Sequence, residues 1–305
     1  MSIYKLFQLI RLPNLLLLGL LQLLLRFALA SPVMMLEGRP LLLSTEEFLL
    51  LVISCMLIAA GGYIINDIED ESIDRINRPE SVVIGKYISS GQAYWLYFAF
   101  TLGGILIGFY LSYFARIQYI GTINAVTSGL LYFYATSYKC IPLLGNLIIA
   151  LLTALAVFIV AFPEPLILNY TDLFSFFTGF AMFAFLYTLI REMIKDLEDH
   201  EGDQASGCRT IVGALGEKVV RRIAAMLLTG TIAFLLFIQF ATRQWEAPLP
   251  FFYLLITVVL PSLYLLFKIL KSRTKSHYKV CSMLSKIIML AGILSILIFY
   301  FSIEL

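Results

Sequence analysis

The chain has 305 residues, of which 60% are hydrophobic and only 14% charged, with a mean hydropathy of +0.90. A soluble domain carries charge on roughly a quarter of its residues, so this composition excludes an ordinary soluble protein and points to a polytopic helical membrane protein. The formal net charge of +2 excludes little by itself, and no basic tract points to nucleic acid. The placement of the charges is informative.

Apolar runs long enough to cross a bilayer as helices predict nine spans, near 12–30, 46–66, 91–112, 117–137, 143–162, 171–191, 219–241, 249–269 and 281–302. No cleavable signal peptide is expected, because the first apolar run begins near Leu12 with no small-residue cleavage site after a short core. The breaks carry turn residues: Pro32, Gly38 and Pro40; Pro142 and Gly145; Pro163 and Pro165; Pro248 and Pro250. Pro261 falls inside the eighth span and predicts a kink there. Cys55, Cys140, Cys208 and Cys281 show no C-x-x-C spacing and read as isolated thiols.

With the N-terminus in the cytoplasm and the spans alternating, 18 of the 22 basic residues fall inside and 4 (Arg26, Arg39, Arg116 and Arg243) outside. That asymmetry follows the positive-inside rule. It places the ends of spans two and six on the cytoplasmic side, each followed by a long inside loop (about 67–90 and 192–218).

Both of those ends are acidic. Span two runs into Asn66-Asp67-Ile68-Glu69-Asp70-Glu71-Ser72-Ile73-Asp74. At 100° per residue, Asn66, Asp67, Asp70 and Asp74 share one helical face if the helix continues. Span six is followed by Arg191-Glu192-Met193-Ile194-Lys195-Asp196-Leu197-Glu198-Asp199-His200-Glu201-Gly202-Asp203. Asp196, Asp199 and Asp203 repeat the offsets of Asp67, Asp70 and Asp74 after a constant shift of 129 residues. Carboxylates crowded at a membrane surface repel one another unless a cation lies among them. Two such clusters suit magnesium, a hard cation that takes a few carboxylates together with substrate phosphates.

The metal-ligand candidates are therefore Asn66, Asp67, Asp70, Asp74, Asp196, Asp199 and Asp203, with two ions clamping a diphosphate between the clusters. Asp67 is either a ligand or a residue that orients one. Arg75, Arg78, Lys139 and Arg209 are candidates for the phosphate oxygens that the metals leave bare. Lys218, Arg221, Arg222, Lys268 and Lys271 read instead as anchors at the headgroups. Glu69 and Glu198 point away from the aspartate face, and His200 and His277 read as surface residues.

The sequence resembles the UbiA superfamily of intramembrane prenyltransferases along nearly its whole length. The resemblance rests on Arg11-Leu12-Pro13-Asn14, the first aspartate motif with Arg75-Ile76-Asn77-Arg78-Pro79, and Gly85 with Ile88-Ser89. It continues through Tyr134, Lys139 and Gly145-Asn146, and the second motif through Arg209-Thr210. One departure is visible: the family's Tyr-x-x-x-Lys is unmet, because Ala135 stands four residues before Lys139. The resemblance implies a single all-α membrane domain over residues 1–305, with nine helices around a central cavity that is capped on the cytoplasmic side, where the active site lies, in the cell membrane. It further implies magnesium-dependent transfer of a prenyl group from a polyprenyl diphosphate to a lipophilic acceptor. Asp70, Asp74, Asp199, Asp203 and Lys139 are then the catalytic set, and Asn14 joins the diphosphate-binding residues. The second motif and the Leu143-Leu144-Gly145-Asn146 segment look most like enzymes that move a geranylgeranyl group onto geranylgeranylglyceryl phosphate. An aromatic acceptor such as hydroxybenzoate, dihydroxynaphthoate or a porphyrin is the alternative, and a cation transporter the alternative from another class. A transporter is expected to carry acids near the bilayer midplane, whereas these lie at span ends.

Overall fold

The computed structural model describes residues 2–115, 117, 119–241 and 248–303. They form helices α1 (Ile3–Leu9), α2 (Leu12–Leu36), α3 (Thr45–Glu69), α4 (Glu71–Asn77), α5 (Ser90–Phe114), α6 (Ile120–Thr136) and α7 (Leu144–Phe158). These are followed by α8 (Pro165–Asn169), α9 (Thr171–Ala205), α10 (Ile211–Leu215), α11 (Glu217–Ala241), α12 (Pro248–Lys271) and α13 (Lys275–Ile303). Seven of them (α2, α3, α5, α9, α11, α12 and α13) are long and apolar enough to cross a membrane. The spans expected near 117–137 and 143–162 correspond to the 17-residue α6 and the 15-residue α7. Arg116 and Arg243, assigned to the outer side by the charge count, lie outside the described residues.

Helix starts follow from local chemistry. Ser44 and Ser89 cap α3 and α5, each in a reciprocal capping box with the residue three places on, Glu47 and Gln92. Pro32 and Pro261 behave alike. Each lacks an N–H and its ring presses on the preceding turn, and each is preceded by a widened π-helical turn, Leu25–Ala30 and Leu255–Val259. Pro261 thus perturbs its span as expected. Pro32 does not end its helix: α2 runs on to Leu36, and the break comes at Gly38.

The bundle has two sides. On one, α3 packs against α5 and α6; on the other, α9 packs against α7, α11 and α13. Two elements bridge them: α2 touches α3, α7 and α13, and the short α4 lies against α9. This arrangement leaves a central cavity between the sides.

Opposite the acidic end, Arg26 and Glu164 form a buried ion pair. Arg26 also donates to the Leu43 carbonyl, while Glu164 accepts the backbone N–H groups of Leu42 (2.6 Å) and Leu43 (3.0 Å). The pair pins α2 to the segments entering α3 and α8. Truncating one member leaves the other charge buried and alone, which costs about 3–5 kcal/mol. Glu164→Ala should therefore lower the thermal unfolding midpoint in detergent markedly, and the paired apolar replacement Arg26→Met with Glu164→Leu should recover most of the loss.

Candidate active site

The first acidic cluster sits at a bend. Helix α3 ends at Glu69, Asp70 takes a non-helical conformation, and α4 begins at Glu71. The backbone ladder nevertheless continues, with Asp70 N–H bonding Asn66 O (2.9 Å) and Asp74 N–H bonding Asp70 O (2.8 Å). The four residues therefore keep nearly helical spacing. The second cluster needs no bend. The loop expected after span six is instead the last part of the 35-residue α9, which carries Asp196, Asp199 and Asp203 on unbroken helix.

The two clusters face each other across one cavity of about 410 Å³. Asn66, Asp70 and Asp74 line one wall and Asp196, Asp199 and Asp203 the other, with Arg11, Asn14, Arg78, Lys139 and Lys195 between them. Lower in the cavity the walls become apolar: Leu17, Leu18 and Leu21 of α2, Ile58 of α3, and Leu152 and Ile159 beyond. Four ring side chains, Tyr63, Tyr134, Phe180 and Phe183, also line it. Tyr132 and Phe133, beside Tyr134, are exposed on the outside of the bundle.

Interleaved polar groups balance the acids. Lys139 Nζ lies 2.5 Å from Asp70 Oδ1, and Asn66 donates to the other oxygen at 2.7 Å. Arg78 donates to Asp199 at 2.7 Å, and Lys195 approaches the same carboxylate at 3.5 Å. Asn146 donates to Asp196 at 2.9 Å. Asp74 and Asp203 line the cavity with no hydrogen-bonding or ionic partner among the described residues. Burial, and then Asp70 and Asp67, hold the Asp74 carboxyl above the usual carboxylate range. Burial opposes the charge on Arg78, yet Asp199 and Glu198 more than offset it and keep its pKa raised.

Among the described residues no three carboxylate, histidine or cysteine side chains stand close enough to make a ready-built metal cage. The oxygen donors around the cavity nevertheless suit a hard divalent cation whose remaining ligands come from an anionic substrate. Asn66, Asp70 and Asp74 on one wall, and Asp199 and Asp203 on the other, are placed to hold such an ion.

Three candidates are placed differently. Asp67 turns away from the cavity and pairs with Arg11 at 2.7 Å, while Arg11 also lies over the Tyr63 ring. There it holds the Arg11 guanidinium. Arg75 pairs with Glu71 on the outer face of α4, with its side chain 62% exposed. Arg209 is exposed and does not line the cavity, although its neighbours Cys208 and Thr210 do. Neither arginine is positioned for diphosphate. Glu69 and Glu198 stay off the cavity wall, bonded by Tyr94 and near Arg78. His200 is half-buried on α9 away from the cavity, and His277 is exposed.

The cysteine reading is also corrected. Cys140 and Cys208 form a disulfide, with their Cα atoms 4.8 Å apart, which ties the turn holding Lys139 to the segment after α9. Cys55 and Cys281 remain free thiols. The missing Tyr-x-x-x-Lys spacing has a local cause. Helix α6 ends at Thr136 and Lys139 sits in a separate 3-10 turn, so helical spacing does not govern the pair. Tyr134 still reaches the cavity.

Two asparagines hold the site together without any charge to announce them. Asn146 fixes Asp196. Asn77, at the end of α4, donates to the Asp199 carbonyl (3.1 Å) and accepts from Gly202 N–H (3.2 Å), locking the two acidic segments to each other. A side chain at Gly202 would run into the Asn77 amide.

The matched family model covers residues 23–299 and is that of the UbiA prenyltransferase family. The chain belongs to this family. The UbiA relatives include a digeranylgeranylglyceryl phosphate synthase from Saccharolobus solfataricus, 32% identical over 265 residues, covering 84% of this chain and 86% of the relative. The fold matches a solved structure of digeranylgeranylglyceryl phosphate synthase with a TM-score of 0.63 at 21% identity, over 99% of both chains. It also matches a UbiA homologue from Archaeoglobus fulgidus bound to DMAPP and Mg2+, with a TM-score of 0.54 at 16% identity, over 96% of this chain and 99% of the other. The chain is thus a membrane-embedded prenyltransferase.

Gly145 supports the Lys139 turn in this UbiA cavity: a Cβ there would lie 2.9 Å from Lys139 Cα and 3.1 Å from the Tyr138 carbonyl. Gly145→Ala should push Lys139 off Asp70 without unfolding the bundle. A displacement of about 1 Å can cost on the order of a hundredfold in rate. Steady-state prenyl transfer by Gly145→Ala, set beside its unfolding midpoint, measures that effect.

Proposed function

We propose that this UbiA prenyltransferase uses magnesium to bind a polyprenyl diphosphate, geranylgeranyl by preference, and transfers its chain to geranylgeranylglyceryl phosphate at the cytoplasmic face of the cell membrane. The observation that carries the reading is the meeting of the two aspartate clusters across one cavity with an apolar floor. An acidic rim with basic groups set into it suits a metal–diphosphate head, and the apolar depth suits the isoprenoid tail.

Two magnesium ions held between the clusters would neutralise the diphosphate and make it a better leaving group. Asn66, Asp70, Asp74, Asp199 and Asp203 are the residues to hold them. Lys139 and Arg78 bind phosphate oxygens once the anion draws them from Asp70 and Asp199, and Asn14 adds a neutral donor. Asp196, fixed by Asn146, lines the second wall beside Asp199 and Asp203. The allylic C–O bond breaks as charge moves onto the diphosphate. Tyr63, Tyr134, Phe180 and Phe183 present ring surface to the developing allylic cation and keep water from it. The acceptor hydroxyl oxygen then bonds to the allylic carbon, forming an ether and releasing diphosphate and a proton.

The acceptor reading draws on the relatives named digeranylgeranylglyceryl phosphate synthase. The cytoplasmic orientation draws on the distribution of lysine and arginine. A panel of acceptors with labelled geranylgeranyl diphosphate tests the reading: geranylgeranylglyceryl phosphate should be the best substrate, and preference for hydroxybenzoate or dihydroxynaphthoate would replace it with an aromatic-acceptor enzyme. Asp70→Ala and Asp199→Ala should each abolish transfer while the protein still inserts, and chelation should do the same to the wild type until magnesium is restored. Near wild-type turnover in either variant would remove these residues from the catalytic set.

A further inference from the structure

Lys286 lies on α13, eleven residues past Lys275, or about 16 Å along the helix at 1.5 Å per residue. It faces the central cavity, yet it has no ion pair and no hydrogen bond among the described residues. Its electrostatic surroundings are mostly of its own sign: Arg191, Lys195 and Arg11, with Glu192 the acid among them. Glu192 is already engaged by Arg191 and Asp67 by Arg11, while Lys195 approaches Asp199. A cation at such depth without a partner is costly, and residues of this kind mark ligand sites.

The facing helix supplies matching donors. Arg191 and Thr188, three residues apart on α9, share one face and both line the cavity. The Arg191 Nε and the Thr188 Oγ1 are buried without a hydrogen-bond partner among the described residues, and Thr188 is only 4% exposed. Buried donors are ordinarily satisfied. Here a buried N–H, a buried hydroxyl and a free ammonium lie along one cavity wall, and Glu192 holds the guanidinium that presents the first of them.

We infer that Lys286, Arg191 and Thr188 form an anion subsite for the phosphate monoester of the acceptor, distinct from the acidic clamp that takes the donor diphosphate. The inference rests on the acceptor reading given above. Separation along α9 distinguishes the two sites: Arg191 precedes Asp199 by eight residues, about 12 Å of helix. The chemistry favours a phosphate over a carboxylate, because three donor groups from two helices match three terminal oxygens and a charge approaching two. In geranylgeranylglyceryl phosphate the reacting hydroxyl lies only a few bonds from phosphorus. A head held at Lys286 therefore keeps that hydroxyl inside the cavity, on the side where the donor carbon departs from its diphosphate.

The test uses the full chain in lipid nanodiscs with magnesium and geranylgeranyl diphosphate, comparing wild type, Lys286→Met, Lys286→Arg and Thr188→Val. The acceptors are geranylgeranylglyceryl phosphate and the same lipid without its phosphate. Loss of a charge-assisted bond to phosphate should raise the acceptor KM of Lys286→Met on the order of tenfold to a hundredfold, with the donor KM unchanged. Thr188→Val should show a smaller rise of the same kind, and Lys286→Arg should restore most of the affinity. With the phosphate-free acceptor, wild type and Lys286→Met should be equally poor. An unchanged acceptor KM in Lys286→Met, or an equal rise in donor KM, overturns the subsite while leaving the acceptor reading intact. Failure of the wild type to use geranylgeranylglyceryl phosphate overturns the acceptor reading and the subsite with it.

Discussion

Repulsion among carboxylates gathered at the mouth of an apolar cavity is the constraint on which the rest of the structure turns. Asp70, Asp74, Asp196, Asp199 and Asp203 share one space, and in a setting poor in water their mutual repulsion is weakly screened. Groups drawn from other helices relieve it: Lys139 after α6, Asn146 on α7, Arg78 after α4 and Lys195 on α9 itself. The polar contacts that balance the acids thus also fasten the helices around them. In the proposed function, Lys139 and Arg78 would turn from these carboxylates to the phosphate oxygens of the bound donor.

Much of this was legible in the sequence because it is periodic or local. The apolar runs locate most of the helices to within a few residues, and the 129-residue repeat of aspartate spacing identifies the two walls, since equal spacing on helices gives equal faces. The length of α9 was not legible: residues 192–205 are mostly polar and charged, as a loop would be, yet buried Met193, Ile194 and Leu197 and bonds from Asn77, Arg78 and Asn146 anchor this stretch in the fold.

What escaped depends on contacts between distant residues. Arg75 and Arg78 are three apart and chemically alike, yet the turn at Asn77 sends one to Glu71 and the other to Asp199. Asp67 looks like a ligand beside Asp70 until Arg11, 56 residues away, is seen to occupy it. Cys140 and Cys208 are separated by 68 residues and share no motif, so only the fold brings them together. Asn77 and Asn146 carry no charge and fit no metal pattern, although each holds part of the second wall in place. Lys286 counted as one more inside lysine because its helical face cannot be read from a span apolar nearly all round.

The central claim of the proposed function is that the diphosphate completes the clamp, since no group of three metal-ligating side chains stands together among the described residues. Calorimetric titration of magnesium into the wild-type protein, with and without a non-transferable geranylgeranyl diphosphate analogue, tests it most directly. The expected result is weak magnesium binding alone and much tighter binding with the analogue, a gain lost in Asp70→Ala. Equally tight magnesium binding with and without the analogue would contradict it.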